Sequence, residues 1–574
     1  MHWFRHLLYP SCLGALFFAS GALISAEREV QVKAESNTRL VVVCVFDQLR
    51  GDYPTRWKNA YGSKGFRRIM AEGTHYTNCH YPYGVTLTGP GHASITTGAI
   101  PKTHGIIANE WYDSAKAQEV YCATGEKYKN IPQKFGAAAT KRAGGGSPEH
   151  LRVPTIGDSL KEATEGRGKV FAFSSKDRGA ILMAGKKADG CYWWDTDTGK
   201  LGTSTYYRDA LEPWVSEWNY ESPAEKWLGL KWNRYRSNLD YNKLAGPDKV
   251  LGEAEGTISG QPYSAVFPHE FPTKPDKIYF NTVYASPFAN ELIFDLAVKA
   301  IEAEKLGQDE SPDLLLLSFS SNDAVGHAWG PDSHEVLDIT LRTDDLLARM
   351  FRELDTKVGK GKWTVYISAD HGVCPLPELS KALGKDAGRI DIEDLKKRAD
   401  VFLNERFNDK KPPVPFIPTK TISEHIYLDR SLLKKNNWNA DEVTLALSQW
   451  LLTQDGVAKA YTRAQLLGSE NTDPMIESYR ACYDAQRGGD IVLLQKENWL
   501  LGKGKGTSHG TPYEYDTHVP LMVFGNGGQK LVSNEKITPL HVAPLIAREL
   551  GIPVPAGCTI KLNAASAPVT FGAP

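Results

Sequence analysis

The sequence predicts an α/β fold: a mostly parallel central sheet flanked by helices, with two inserted segments that decorate it. Three observations predict this. Several apolar runs of strand length are nearly uninterrupted, the mark of strands buried on both faces of a parallel sheet. Segments with apolar residues at i, i+3, i+4 and i+7 alternate with those runs. Acids, histidines or a basic pair follow directly after four of the runs, and in open α/β sheets ligands bind outside the carboxyl ends of the strands.

The chain opens with Arg5 and an apolar stretch from Leu7 to Ile24, interrupted by Pro10 and Ser11, then small residues around Ala26. That stretch is short for a bilayer span and ends in a cleavage-like site. Residues 1–26 therefore read as a secretory signal peptide, which implies a periplasmic or secreted protein with no stable membrane association after cleavage. The predicted strands are "LVVVCVF" (40–46), "KVFAFSS" (169–175), "DLLLLSFS" (313–320), "WTVYISA" (363–369) and "VPLMVFG" (519–525). Helical periodicity covers 292–306, 336–354 and 541–552. Two stretches break the alternation and read as insertions: 188–285, rich in Trp and Tyr, and 376–490, rich in charge and Pro.

With 574 residues, 41% of them hydrophobic, the chain has material for a large core. A net charge of -1 argues against a nucleic-acid partner or a polybasic membrane role. Eight cysteines become seven once Cys12 leaves with the signal. Cys44 sits in a strand as a small hydrophobe; an oxidising compartment is compatible with disulfides, and the spacing names no pair.

The strand ends carry the chemistry. The first strand runs into Asp47, the third into Asp323 with His327 four residues on, and the fourth into Asp370 and His371. The second runs into Lys176, Asp177 and Arg178, and His509 sits in the glycine-rich "GKGKGTSHGTP". Three carboxylates with three imidazoles favour zinc over the all-oxygen shells of magnesium or calcium. Six ligands are too many for one tetrahedral ion and suit two, which together can clamp an in-line displacement. "GVTLTGPGHASITTG" (84–98) crowds hydroxyls and glycines but lacks the Gly-Lys-Ser/Thr of a Walker loop.

"VFDQLRGDY", "TLTGPGHASITTG", "SSNDAVGHAWGPDS", "SADHGV" and "GTSHGTPYEYDTHVP" resemble, in order, the metal-site motifs of the alkaline phosphatase superfamily. More narrowly, the chain is similar to the bacterial periplasmic phosphate-irrepressible alkaline phosphatases that use a threonine nucleophile. The resemblance implies an alkaline phosphatase-like catalytic domain over 27–574, hydrolysing small phosphate monoesters with two zinc ions. It implies that Asp323, His327 and His509 hold one ion and Asp47, Asp370 and His371 the other. It implies that Thr88 is the metal-bound nucleophile that becomes phosphorylated, and that Asn109, Lys176 and Arg178 bind the phosphoryl oxygens. Gly89 and Gly91 are then expected to let the backbone approach the phosphate, while Thr86, His92, Ser94, Thr96 and Thr97 pack and cap. A phosphodiesterase or nucleotide pyrophosphatase of the same superfamily is the alternative.

Overall fold

A computed structural model describes residues 37–132, 144–254, 264–409, 411–419, 423–470 and 473–562. The expected signal peptide, 1–26, lies outside the described residues. The core is a ten-stranded sheet. Its strands in chain order are β1 (Leu40–Phe46), β2 (Thr74–Tyr76), β3 (Asn130–Ile131), β4 (Val170–Ser174), β5 (Gly190–Asp195), β6 (Lys200–Ser204), β7 (Asp313–Phe319), β8 (Trp363–Ser368), β9 (Leu521–Gly525) and β10 (Leu531–Ser533). Their spatial order is β10-β2-β9-β8-β1-β7-β4-β5-β6-β3.

The middle of the sheet is parallel: β8, β1, β7, β4 and β5 run the same way. The flanking β9 and β6 are antiparallel to their inner neighbours. β1, β7, β4 and β8 are buried along their whole length, as their near-continuous Val, Ile, Leu and Phe require. The register is level at one end: Phe46 lies opposite Phe319, Val45 opposite Ser368, and Ser318 opposite Ser174. The residues that follow these four strands are thus delivered to one edge.

Five helices bear on that edge: α1 (Thr88–Thr97), α2 (Asp177–Ala184), α3 (Pro287–Ala303), α4 (Ser321–Trp329) and α5 (His334–Lys357). α3 and α5 carry the two longer periodic patterns. α1 differs, because every one of its ten residues is buried. Its small side chains let it lie flat against α2 and beneath the end of β8. A Cβ on Gly91 would come within 2.4 Å of the Asp370 carbonyl oxygen, so only glycine permits that approach.

The stretch 188–285, expected to be an insertion, opens with two strands of the sheet itself. β5 pairs in parallel with β4, and β6 returns antiparallel beside it. The aromatic sequence "GCYWWD" forms a buried strand, a conformation that Tyr and Trp favour. The remainder lies partly on α5, where buried Asp338 accepts from Trp232 Nε1 at 2.7 Å and Tyr241 OH at 2.8 Å.

The second expected insertion, 376–490, has a core of its own. Leu395 and Leu403 of Ile392–Phe407 pack with Val443 and Leu447 of Ala440–Leu451 against Ile491 and Leu493. Its antiparallel sheet orders His425–Ile426, Ile491–Gln495 and Val457–Thr462. Cys44, Cys79, Cys122, Cys191, Cys374, Cys482 and Cys558 are all free thiols. No helix among the described residues is long and apolar enough to cross a membrane.

Candidate metal centre and active site

The carboxyl edge of the sheet gathers the predicted ligands. Asp323, His327 and His509 offer ligand atoms that all lie within 4.8 Å of one another, as do Asp47, Asp323 and His371. His327 Nε2 is 2.9 Å from Asp323 Oδ1 and His509 Nε2 is 3.6 Å from it. His371 Nε2 lies 3.4 Å from both Asp47 Oδ1 and Asp370 Oδ2. Asp323 therefore belongs to both groups, whereas Asp370 joins the second from one side. The imidazoles of His371 and His509 stack with centroids 3.4 Å apart.

All three histidines are oriented alike. Nδ1 of His327 donates to the Thr507 carbonyl at 2.7 Å, that of His371 to Gly372 at 2.9 Å, and that of His509 to Thr86 at 2.8 Å. A carbonyl can only accept, so each Nδ1 bears a proton and each Nε2 is the atom turned toward the carboxylates. Metal-ligating histidines are fixed in this way. Asp47 Oδ1, Asp370 Oδ2 and His371 Nε2 are buried and have no hydrogen-bond partner. Orphaned buried atoms of this kind fit a cation, and the mixed carboxylate–imidazole donor set fits zinc.

The electrostatics agree. Burial, with Asp323 and Asp370 beside it, pushes the Asp47 carboxyl well above its ordinary range. Burial acts the same way on Asp323, but His327 and Lys176 overcome it and hold that carboxyl well below the usual range. Burial lowers His371 to about 3, so the ring is neutral across the working range. Three carboxylates here face one ammonium: Lys176 Nζ is 2.6 Å from Asp47 Oδ2 and 2.6 Å from Asp323 Oδ2. The cluster is short of positive charge.

Thr88 is the first residue of α1 and is 1% exposed, after Leu87 in extended conformation. Arg178 Nη2 is 3.5 Å from Thr88 Oγ1. Arg178 Nη1 is 3.5 Å from the Tyr121 hydroxyl, which donates to Asp177. Asn109 Oδ1 accepts the Gly89 N–H at 2.7 Å, which pins the asparagine to the first turn of α1.

The family model of type I phosphodiesterase / nucleotide pyrophosphatase matches residues 41–519. Alkaline phosphatase PafA of Elizabethkingia meningoseptica is 32% identical over 532 residues, covering 92% of this chain and 95% of that protein. Alkaline phosphatase PhoV of Synechococcus elongatus is 32% identical over 558 residues, covering 96% and 97%. The crystal structure of wild-type PafA superposes with a TM-score of 0.83 at 31% identity, covering 93% of this chain and 99% of that one. The chain belongs to the type I phosphodiesterase / nucleotide pyrophosphatase family of the alkaline phosphatase superfamily. It is a phosphatase.

Within this phosphatase the sequence-predicted residues converge, with one difference in detail at Gly91. Lys176, expected on phosphoryl oxygens, also pairs with the carboxylates of Asp47 and Asp323. Gly91, expected to face phosphate, faces the Asp370 carbonyl instead, because α1 packs directly on the β8 terminus. The remaining members of the threonine-rich stretch pack and brace as expected. His92 bridges the Thr88 carbonyl and Ser318 Oγ, each at 2.9 Å, and Ser94 Oγ meets Tyr83 OH at 3.1 Å.

Three supporting residues escaped the sequence reading: Gln48, Tyr121 and Asp516. Asp516 is fully buried and accepts from Gly510 N, Thr511 N and Thr511 Oγ1 at 2.6–3.0 Å, which clamps the turn after His509. Burial raises its carboxyl to about 7 against those donors. "YEYDTHVP" gives no periodic or spacing signal for this role. Gln48 adjoins Asp47 in "VFDQLRGDY", but nothing in the type marks it.

Proposed function

We propose that the chain is an exported, two-zinc phosphomonoesterase that hydrolyses small phosphate monoesters through a phosphothreonine at Thr88. The observation that carries this reading is the common orientation of His327, His371 and His509. Each is locked through Nδ1 and turns Nε2 onto buried carboxylates at the sheet edge that also presents Thr88. Asp323, His327 and His509 would hold one ion, and Asp47, Asp370 and His371 the other, beside Thr88. Bound zinc supplies Lewis acidity that favours the deprotonated hydroxyl and stabilises the leaving oxygen.

The chain's own residues do the rest. Thr88 Oγ1 forms the new bond to phosphorus as the bond to the alcohol oxygen breaks and that oxygen gains a proton. Water then cleaves the phosphothreonine, releasing phosphate and restoring the hydroxyl. Arg178 grips two non-bridging oxygens with its planar fork, Lys176 adds a point charge, and Asn109 positions a third contact. The amides that open α1 favour an anion at the same place. A crystal structure of a PafA variant, 31% identical, replaces a threonine and an asparagine 21 residues apart and a lysine and an arginine two apart. Thr88, Asn109, Lys176 and Arg178 have those spacings. Residues 1–26 support export, and the near-neutral charge supports a small-molecule substrate.

The family also includes phosphodiesterases, so the decisive experiment compares both substrate classes. A monoester is a dianion and a diester a monoanion. In Lys176→Ala/Arg178→Ala, kcat/KM for a monoester should fall by about 10²- to 10⁴-fold, from roughly 1.5–3 kcal/mol for each charged hydrogen bond, and diester hydrolysis far less. Equal losses on both substrates favour the phosphodiesterase reading. Full turnover by demonstrably metal-free protein overturns the two-metal scheme.

A further inference from the structure

Gln48 is buried, follows Asp47 directly, and has a left-handed backbone with φ of 67°. Non-glycine residues rarely adopt that region, and such residues cluster where function over-determines the backbone. Two donors of this one residue reach two carboxylates. Its side-chain amide, Nε2, donates to Asp323 Oδ1 at 2.7 Å, and its main-chain N–H donates to Asp370 Oδ1 at 3.1 Å. The left-handed turn is what sends the amide toward α4 while the N–H faces the end of β8.

The other half of the amide explains a glycine. Gly326 lies inside α4, one residue before His327, and its φ is not left-handed. Helix propensity gives no reason for glycine there. A Cβ at 326 would stand 1.7 Å from Gln48 Oε1. Gly326 is therefore the space in which the Gln48 amide sits.

We infer that Gln48 is a positioning residue for the metal centre: it fixes the rotations of Asp323 and Asp370, one from each proposed ligand set, and Gly326 exists to admit its amide. The inference rests on the two-metal reading above. The neutral amide adds no charge, so it leaves the carboxylates fully anionic and directs only which oxygen faces the ions. Outer partners of ligating carboxylates act in this manner.

The test is calorimetric zinc titration of chelator-stripped protein, with thermal unfolding of each stripped sample and kcat and KM after reloading. The variants are Gln48→Met, Gln48→Gly, Gly326→Ala and Gln48→Gly/Gly326→Ala. Gln48→Gly keeps the backbone donor and relieves the turn, so the stripped protein should unfold no earlier than wild type. Its zinc affinity should still drop about 10- to 100-fold, and Gln48→Met should match it. Gly326→Ala should do the same with residue 48 intact, by pushing the amide aside. The double variant should bind zinc no more weakly than Gln48→Gly alone, because the clash has been removed with the side chain.

Zinc affinities within twofold of wild type in Gln48→Gly and Gln48→Met overturn the inference and leave the metal centre standing. Losses in zinc affinity that merely track early unfolding also overturn it, since they mark a structural role. Wild-type protein that binds no zinc and still turns over overturns the metal centre itself.

Discussion

Lys176 Nζ lies 2.6 Å from Asp47 Oδ2, and it lies equally close to Asp323 Oδ2. One carboxylate follows β1 and the other lies in the first turn of α4, and both are almost fully buried. The ammonium is thus the positive charge that lets them coexist without metal. Removing one partner of a buried ion pair commonly costs about 3–5 kcal/mol, because the other charge stays desolvated. Lys176→Met should therefore lower the melting temperature of chelator-stripped protein sharply. Zinc-loaded protein should lose much less, since bound cations neutralise the same oxygens. Melting curves with and without chelator decide this, and equal losses in both states count against Lys176 as the counter-charge of the ligands.

Thr88→Ala should lose at least about a thousandfold in turnover, as removal of a nucleophile does elsewhere. It should keep its fold and zinc content, because the Thr88 hydroxyl meets Arg178 Nη2 only at 3.5 Å and alanine favours the first turn of α1. Thr88→Ser keeps a hydroxyl and should retain measurable activity. Mass spectrometry of the acid-quenched wild-type reaction should map phosphate to Thr88. Phosphate on Thr86 would contradict the assignment, and Thr86 Oγ1 is already committed to the Thr511 carbonyl at 2.9 Å.

Legibility followed the physics of each signal. β1, β7 and β8 were readable because strands buried on both faces leave uninterrupted aliphatic runs, and Asp47, Asp323, Asp370 and His371 were readable because they end those runs. β5 was not, because "YWW" gives an aromatic bulk that fits a strand or a loop wall equally well. The separate core around Leu395 and Val443 was hidden by charged helix faces that dominate the composition. Gln48 and Tyr121 act on residues distant in sequence: the Gln48–Asp323 bond spans 275 residues and the Tyr121–Asp177 bond 56. Only the folded chain brings such pairs together.

Acid should destabilise the protein through buried histidines outside the metal centre. His104 is fully buried, with Nε2 3.0 Å from Ser94 Oγ and Nδ1 accepting from Ile106 N–H at 3.1 Å. An accepting Nδ1 carries no proton, so the folded ring is neutral. Burial, helped by Arg487, lowers its pKa to about 3 from 6.5. The sign follows: above 6.5 neither state binds the proton, and below it only the unfolded chain does. Stability is complete above pH 6.5 and declines as pH falls toward 3. His104→Gln cannot take up that proton. Its melting temperature, followed from pH 8 to pH 4 in chelator, should fall less steeply than that of wild type. Parallel slopes would place the acid sensitivity elsewhere, for example on His75 or His425, which burial lowers to about 4.

Tyr121 connects two of the residues proposed to bind the phosphoryl group, Asn109 and Arg178. It closes the hairpin that pairs Glu110–Asp113 with Gln118–Tyr121, so Tyr121 lies opposite Glu110, next to Asn109. Its hydroxyl donates to Asp177 and stands 3.5 Å from Arg178 Nη1. Arg178 Nη2 in turn is 3.5 Å from the Thr88 hydroxyl. Without the phenolic oxygen, the guanidinium keeps its charge but loses the contact that sets its plane. A hydrogen bond to a charged group is worth roughly 1.5 kcal/mol or more, so Tyr121→Phe should lower monoester kcat/KM by about tenfold. Inhibition by inorganic phosphate should weaken by a similar factor, because the product meets the same fork. Diester hydrolysis should change less, having one fewer oxygen to grip. Steady-state kinetics on a monoester and a diester, with phosphate as inhibitor, make the comparison. A fall in monoester turnover with phosphate inhibition unchanged would mean that Tyr121 does not act through Arg178.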